Sequence, residues 1–438
     1  MMRTDYALMA VAAVMAATAS GPVWAQDASP TQPDMLGGAS VGAGYSSAIS
    51  ANRYTGAQLP SGPYAVKGLP LGAFRMFPSL QLSVDGDDNV YRHPSKPIGD
   101  IFYSENPQVA IDSEWARNAL DFFAGFSAYQ YYRRHSEGHN DWNAGLSGLL
   151  NISRGVELKA TGSYNVLHES RISPDQPFSA IVPTLYHVAH GATEFSYRPF
   201  SLGFALGGSF DRYDYFNTPL FDLPPLNNSD RNRTEYTVYT RVYYEFSPGY
   251  SVYVEGADSQ DVYQLHKDRN GYDRNSHGYA ANAGIQAKVT QLIVGTLYGG
   301  YLKQDYNAPL PNVAGLDWGA NLDYYFDPLW TFHLTASRKL NGTTINQAST
   351  EDDQSVRLAA DYSMRQNIMV NGYVGYTDSR FNGTSLDDRY ITAGINLSYL
   401  LNHDMSMNIG YDYQDRGSND PLQAFTDDVA HLGISLYL

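Results

Sequence analysis

Eight residues of this chain bring ring faces, carboxylates and guanidinium groups together in a pattern that can guide a polar solute. Glu235, Tyr239, Arg241, Tyr243 and Glu245 stand on alternate positions of one stretch, and Asp323, Arg357 and Asp361 follow further on. Side chains two apart share one face of an extended strand. Tyrosine faces stack on the C–H surfaces of sugars, while carboxylates and guanidinium groups exchange hydrogen bonds with hydroxyls. The same face also suits any water-filled passage, whose wall needs Arg–Asp pairs to hold it together. Covalent chemistry is not indicated. Asp85-Gly86-Asp87-Asp88-Asn89 lacks the spacing and terminal Glu of a calcium loop. The acidic runs Glu351-Asp352-Asp353, Asp387-Asp388 and Asp427-Asp428 read as solvated charges or as bridges through divalent cations to lipopolysaccharide. The histidines are scattered, His187 and His190 sharing one strand, and form no metal-ligand set. No catalytic Ser, His or Asp set is marked out by the sequence, so we expect no catalytic residue, no metal and no cofactor.

The elements that must carry these residues are short, regular strands. Turn signals recur at Arg117-Asn118, Ser153-Arg154-Gly155, Arg198-Pro199, Ser247-Pro248-Gly249, Thr290-Gln291, Asp327-Pro328, Arg365-Gln366 and Asn402-His403-Asp404. The segments between them alternate apolar with polar residues. In 234–246, Tyr236, Val238, Val242, Tyr244 and Phe246 oppose the Glu235–Glu245 set. Long polar connections near 92–101, 133–140, 168–183, 213–231, 260–275, 303–315, 338–353, 378–388 and 414–425 alternate with the short turns. Short inner turns with long outer loops mark a transmembrane antiparallel up-and-down β-barrel, here of about 18 strands within a range of 16–20. Nine outer loops against eight inner turns put both termini in the periplasm. The alternation runs to Leu438, and a final strand in lipid has to be paired.

Composition agrees. The 438 residues include no cysteine, 36 tyrosines, 18 phenylalanines and 5 tryptophans. Such an aromatic excess suits interfacial girdles and strand propensity. Arg3, the apolar run Ala7 to Ala17 and Val23-Trp24-Ala25 before Gln26 read as a signal peptide over 1–25. Residues 26–71, rich in Gly, Ser, Ala and Pro, read as a flexible periplasmic segment, with a plug of the lumen as the alternative. Residues 72–438 form the barrel. The formal net charge of −16 disfavours nucleic acid, and acidic outer loops are a sufficient reason for it.

Three motifs carry a family resemblance. Pro78 to Tyr91, with Asp87-Asp88-Asn89-Val90-Tyr91, resembles the first strand of the putative β-barrel porin 2 family. Tyr131-Tyr132 before Glu137 and Asp141 resembles a tyrosine-rich strand and loop of that family. Glu169-Ser170-Arg171-Ile172-Ser173-Pro174-Asp175 resembles its next loop. The resemblance rests on motifs over 78–190 and on rhythm beyond. It implies an outer-membrane component of exopolysaccharide or capsule export, beside a periplasmic polysaccharide-export protein. The expectation is a passive exit conduit for a polysaccharide, set in outer-membrane lipid and lipopolysaccharide of a Gram-negative bacterium. The alternatives are a diffusion porin for small solutes or oligosaccharides, and a structural or adhesive outer-membrane protein. Loops of about twenty residues or fewer make the adhesive reading the weakest.

Overall fold

The computed structural model describes residues 64–287 and 292–438. The expected signal peptide, most of the 26–71 segment and the turn at Thr290-Gln291 lie outside the described residues. Eighteen long strands follow one another. They are β1 (Phe74–Asp87), β2 (Asp100–Ser113), β3 (Ala119–Tyr131), β4 (His139–Ser153), β5 (Val156–His168) and β6 (Leu185–Tyr197). Next come β7 (Leu202–Tyr215), β8 (Arg233–Ser247), β9 (Tyr250–Tyr263), β10 (Ser276–Ala287), β11 (Ile293–Tyr306) and β12 (Val313–Tyr325). The series ends with β13 (Trp330–Asn341), β14 (Glu351–Arg365), β15 (Ile368–Phe381), β16 (Asp387–Leu400), β17 (Met405–Ser418) and β18 (Phe425–Tyr437). Each pairs antiparallel with the next, and β18 returns to β1 from Ser79↔Tyr437 to Asp87↔Val429. The sheet is therefore a closed antiparallel barrel. Closure matters because lipid offers nothing to satisfy an open edge. A further short strand, Leu69–Leu71, folds back on the start of β1. The segment expected to lack structure up to residue 71 thus ends in a strand.

Alternation decides which side chains meet which solvent. On β8, Tyr236, Val238, Val242, Tyr244 and Phe246 are exposed outward, whereas Thr237, Tyr239, Arg241 and Tyr243 are buried on the inner side. On β7, Leu202, Phe204, Leu206 and Phe210 face out. The apolar faces of 142–152 and 355–364 are likewise outward, through Leu146, Leu150 and Ile152 and through Val356, Leu358 and Met364. Tight turns close one rim. Gly155 and Gly249 there take positive φ of 74° and 80°, a region that glycine enters without a Cβ penalty.

The opposite rim carries the long connections, seven of the nine shorter than the sequence suggests. β13 and β14 continue into 338–341 and 351–353, and β11 runs on to Tyr306. The ladder simply climbs past the apolar band into water, where outward charges pair: Arg338 with Asp352 at 2.7 Å and Lys303 with Asp305 at 2.6 Å. The loops are not the seat of the acidic charge, contrary to expectation. Across the nine long connections, Lys and Arg balance Asp and Glu one for one.

Candidate functional site: the barrel lumen and its outer mouth

Inward tyrosines pack against glycines directly opposite on the next strand. Tyr239 faces Gly207, Tyr253 faces Gly284, Tyr298 faces Gly319 and Tyr373 faces Gly394. A Cβ on Gly207 would lie 2.4 Å from the Tyr239 ring, and one on Gly284 2.6 Å from that of Tyr253. The glycine lets the ring lie flat along the wall, and the ring covers the backbone that the glycine leaves bare.

Polar groups tie these rings into belts. The Tyr239 hydroxyl donates to Glu194 at 2.7 Å, and Arg241 pairs with Glu255 while donating to the Tyr243 hydroxyl at 3.0 Å. Arg198 lies 3.3 Å from the centre of the Tyr243 ring. Tyr239 and Tyr243 are 1% and 3% exposed. Their faces meet protein atoms, so a sugar-stacking role for them loses its geometric basis. Glu235 pairs with Arg233 at 2.8 Å. Glu245 stands apart, exposed at the short-turn rim, where it accepts the Gly249 amide at 3.1 Å.

The other expected lumen residues form a second group. His333 joins Asp323 at 2.6 Å to Asp361 at 3.0 Å, and Asn371 donates to Asp361. Arg357 stacks over Tyr373 at 3.8 Å, and the Tyr373 hydroxyl donates to Asp412 at 2.7 Å. His431 then bridges Asp412 and Asp85 at 2.5 and 2.7 Å, carrying the belt across the β1–β18 seam. His333 and His431 escape sequence reading. Each is an isolated histidine whose partners come from neighbouring strands, and register alone supplies them.

The family-like motifs occupy the outer mouth. Beyond the seam ladder, the Asp88 amide donates to the Asp428 carbonyl at 3.1 Å and Asn89 Nδ2 to that of Thr426 at 2.9 Å. Arg92 reaches Asp87 and Asp427 at 2.9 and 2.8 Å. Asp87, Asp88 and Asp427 lie close enough to share a cation. The Arg92 guanidinium already serves two of them, so no metal site is assigned. Burial pushes the Asp88 carboxyl above its ordinary range against the hydrogen bond donated by the Asp428 amide, and the charges of Asp428 and Asp87 add to the rise. The acidic pairs noted in the sequence split between faces. Asp353, Asp388 and Asp427 are buried inward, while their neighbours turn out.

Loop 169–184 crosses the mouth. At its root Glu169 grips Arg231 with bonds of 2.5 and 2.9 Å, and Arg171 grips Glu137 with bonds of 2.6 and 2.9 Å. Burial alone would lower the Arg231 guanidinium, but Glu169 and Tyr215 hold it above its usual value. On the far wall Ile172 is 1% exposed between Tyr390 of β16 and Phe425 of β18. Its carbonyl accepts from Arg416 of β17 at 3.1 Å, and Arg416 is itself held by Asp388 at 2.6 Å. Asp175 accepts from the Thr344 amide and hydroxyl at 3.0 and 2.8 Å. The Thr344 segment, 342–350, is tied down in turn by Arg274 and Asn270.

A closed eighteen-strand barrel with an apolar outer wall, a polar lumen and a loop across its mouth defines an outer-membrane channel protein of the porin class. The chain belongs to the Putative beta-barrel porin 2 family, whose model matches residues 62–437. That places it among channels of the Gram-negative outer membrane. No curated protein matches the chain. Among solved structures it is similar to Pseudomonas aeruginosa OpdK, crystallised with vanillate, at 13% identity and a TM-score of 0.42, over 83% of this chain and 98% of that one. It is also similar to a BenF-like porin from Pseudomonas fluorescens Pf-5, at 11% identity and a TM-score of 0.44, over 83% and 99%. The copper transporter OprC follows at 8% identity and 0.45, over 85% and 82%. These likenesses concern the fold alone.

Proposed function

We propose that this protein is a passive diffusion porin for small solutes, the loop-crossed lumen setting the size it admits. The observation that carries this reading is loop 169–184, rooted beside β5 and β6 and seated through Ile172 on β16–β18. A beam across the mouth suits solutes that slip past it one at a time. A polysaccharide conduit needs a continuous wide passage, and the tyrosines that would have served a sugar chain are packed into the wall. The export reading, with its periplasmic partner, is therefore the less supported one. β1 begins and β18 ends at the short-turn rim, which we assign to the periplasm because periplasmic turns are the short ones in such barrels. The outward ion pairs at the long-loop rim, such as Arg212 with Asp214, then meet lipopolysaccharide head groups.

The purified protein in planar bilayers and liposomes tests this. Stepwise conductance is expected, with sugar uptake falling steeply from monosaccharide to oligosaccharide. A deletion strain should keep its extracellular polymer. Loss of that polymer with small-sugar uptake unchanged would return the export reading to first place.

A further inference from the structure

The acidic charge of this chain is concentrated on the inner wall. The long loops are balanced, so the net charge of −16 has to lie elsewhere. The strand registers place it. Among inward-facing strand positions, Asp and Glu are more than twice as numerous as Lys and Arg. Outward-facing charges are fewer and closer to balance. Counting the inward His190, His333 and His431 as cations still leaves the wall acidic.

Pairing does not cancel this excess. Arg233, Arg241 and Arg416 each neutralise one partner. Glu194, Asp261, Asp317 and Asp353 are instead held by neutral donors: the Tyr239 and Ser276 hydroxyls, the Asn282 amide, and Ser379 with Asn341. Hydroxyls and amides bring no positive charge of their own to offset a carboxylate. A second observation points the same way. Asn106 Oδ1, Asn282 Oδ1, Gln286 Oε1 and Asn408 Oδ1 sit on inward positions, more than nine-tenths buried, and accept from no donor. Asp388 Oδ1, on a residue 0% exposed beside the mouth, is in the same state. Acceptors left without donors on the inner wall add their dipoles to its negative field.

Resting on the porin reading above, we propose that the lumen is a cation-preferring filter whose solutes are small cations, organic ammonium ions included, and that it turns anions away. Size makes the field effective. Eighteen strands ~4.8 Å apart and tilted by about 40° give a backbone radius of roughly 18 Å, which side chains narrow to about 10 Å. That is close to the Debye length of ~8 Å at physiological salt, so the wall's field reaches the axis. One uncompensated charge in a lumen this size corresponds to a fixed concentration on the order of 0.1 M, enough to enrich cations and deplete anions in dilute salt.

The test is the reversal potential of the full chain in a planar bilayer under a tenfold KCl gradient, repeated with choline chloride and with potassium acetate. In ~0.1 M salt a cation-to-anion permeability ratio of about five or more is expected, falling toward one in molar salt as screening grows. Choline should carry measurable current, and acetate should carry little. The triple variant Glu194→Gln, Asp261→Asn, Asp317→Asn keeps shape and hydrogen-bond capacity and should lower the ratio at least twofold. A conducting wild-type channel with no ion preference, or with an anion preference, overturns the proposal and leaves the porin reading standing. A folded protein with no conductance overturns the porin reading instead.

Discussion

Replacing Ile172 with Ala probes the far anchor of the loop without touching its root. The Ile172 side chain is buried between Tyr390 and Phe425, and its carbonyl bond to Arg416 is a backbone contact that the substitution keeps. Three buried carbons are lost. At ~0.8 kcal/mol each the loss is about 2.4 kcal/mol, or roughly 50-fold in the ratio of seated to released loop. If the loop is released about 1% of the time in the wild type, that change raises the released fraction to roughly one third. Single-channel recording should show a second, larger conductance level with long dwell times, and liposomes should admit larger sugars. Asp175→Ala, which removes the separate anchor at Thr343 and Thr344, should act in the same direction. If the Ile172 variant folds, as its band shift on unheated gels will show, and its conductance and size limit match the wild type, loop 169–184 does not set the size limit.

The remaining predictions concern wall, seam and loops. Gly207→Ala should hinder barrel assembly because its Cβ meets the Tyr239 ring at 2.4 Å, and adding Tyr239→Ala should restore part of the folded yield on unheated gels. His431→Ala strips a shared donor from Asp85 and Asp412 across the seam. Breaking a buried pair costs ~3–5 kcal/mol, so its heat-modifiability transition should fall clearly below that of a surface control such as His266→Ala. In the outer loops, burial would raise the Asp230 carboxyl, but hydrogen bonds and charge from Arg269 hold it below the usual range. A carboxyl lowered by folding contributes stability above its unfolded value of about 3.9 and loses it as pH falls through the folded value. Protease access to loop 264–275 should therefore rise below about pH 4 in the wild type, and Arg269→Ala should show that access already at neutral pH.

Much of the architecture was readable from residue order. A period of two tells the chain which side chains meet lipid, and Pro248-Gly249 or Arg154-Gly155 can only be tight turns. The lipid face of β8 follows from Tyr236, Val238 and Val242 without any tertiary information. The ends of the strands were harder to place. Charged residues such as Arg338 and Asp352 look like loop, yet a ladder that has left the membrane keeps its hydrogen bonds while its outward charges pair with one another. The inward set Glu235, Tyr239, Arg241 and Tyr243 was legible as a face. Its burial was not, because that depends on Gly207, Glu194, Glu255 and Arg198 arriving from other strands.

By itself, then, the sequence determined a closed barrel of about eighteen strands, its two faces and its family motifs. These are consequences of local periodicity and turn chemistry, which act over a few residues. Only the tertiary structure decided that His431 joins Asp85 to Asp412, that the acidic charge lines the lumen rather than the loops, and that Ile172 rests on the opposite wall. Each of those brings together residues far apart in the chain, and barrel closure and strand register, not any short stretch of sequence, determine which of them meet.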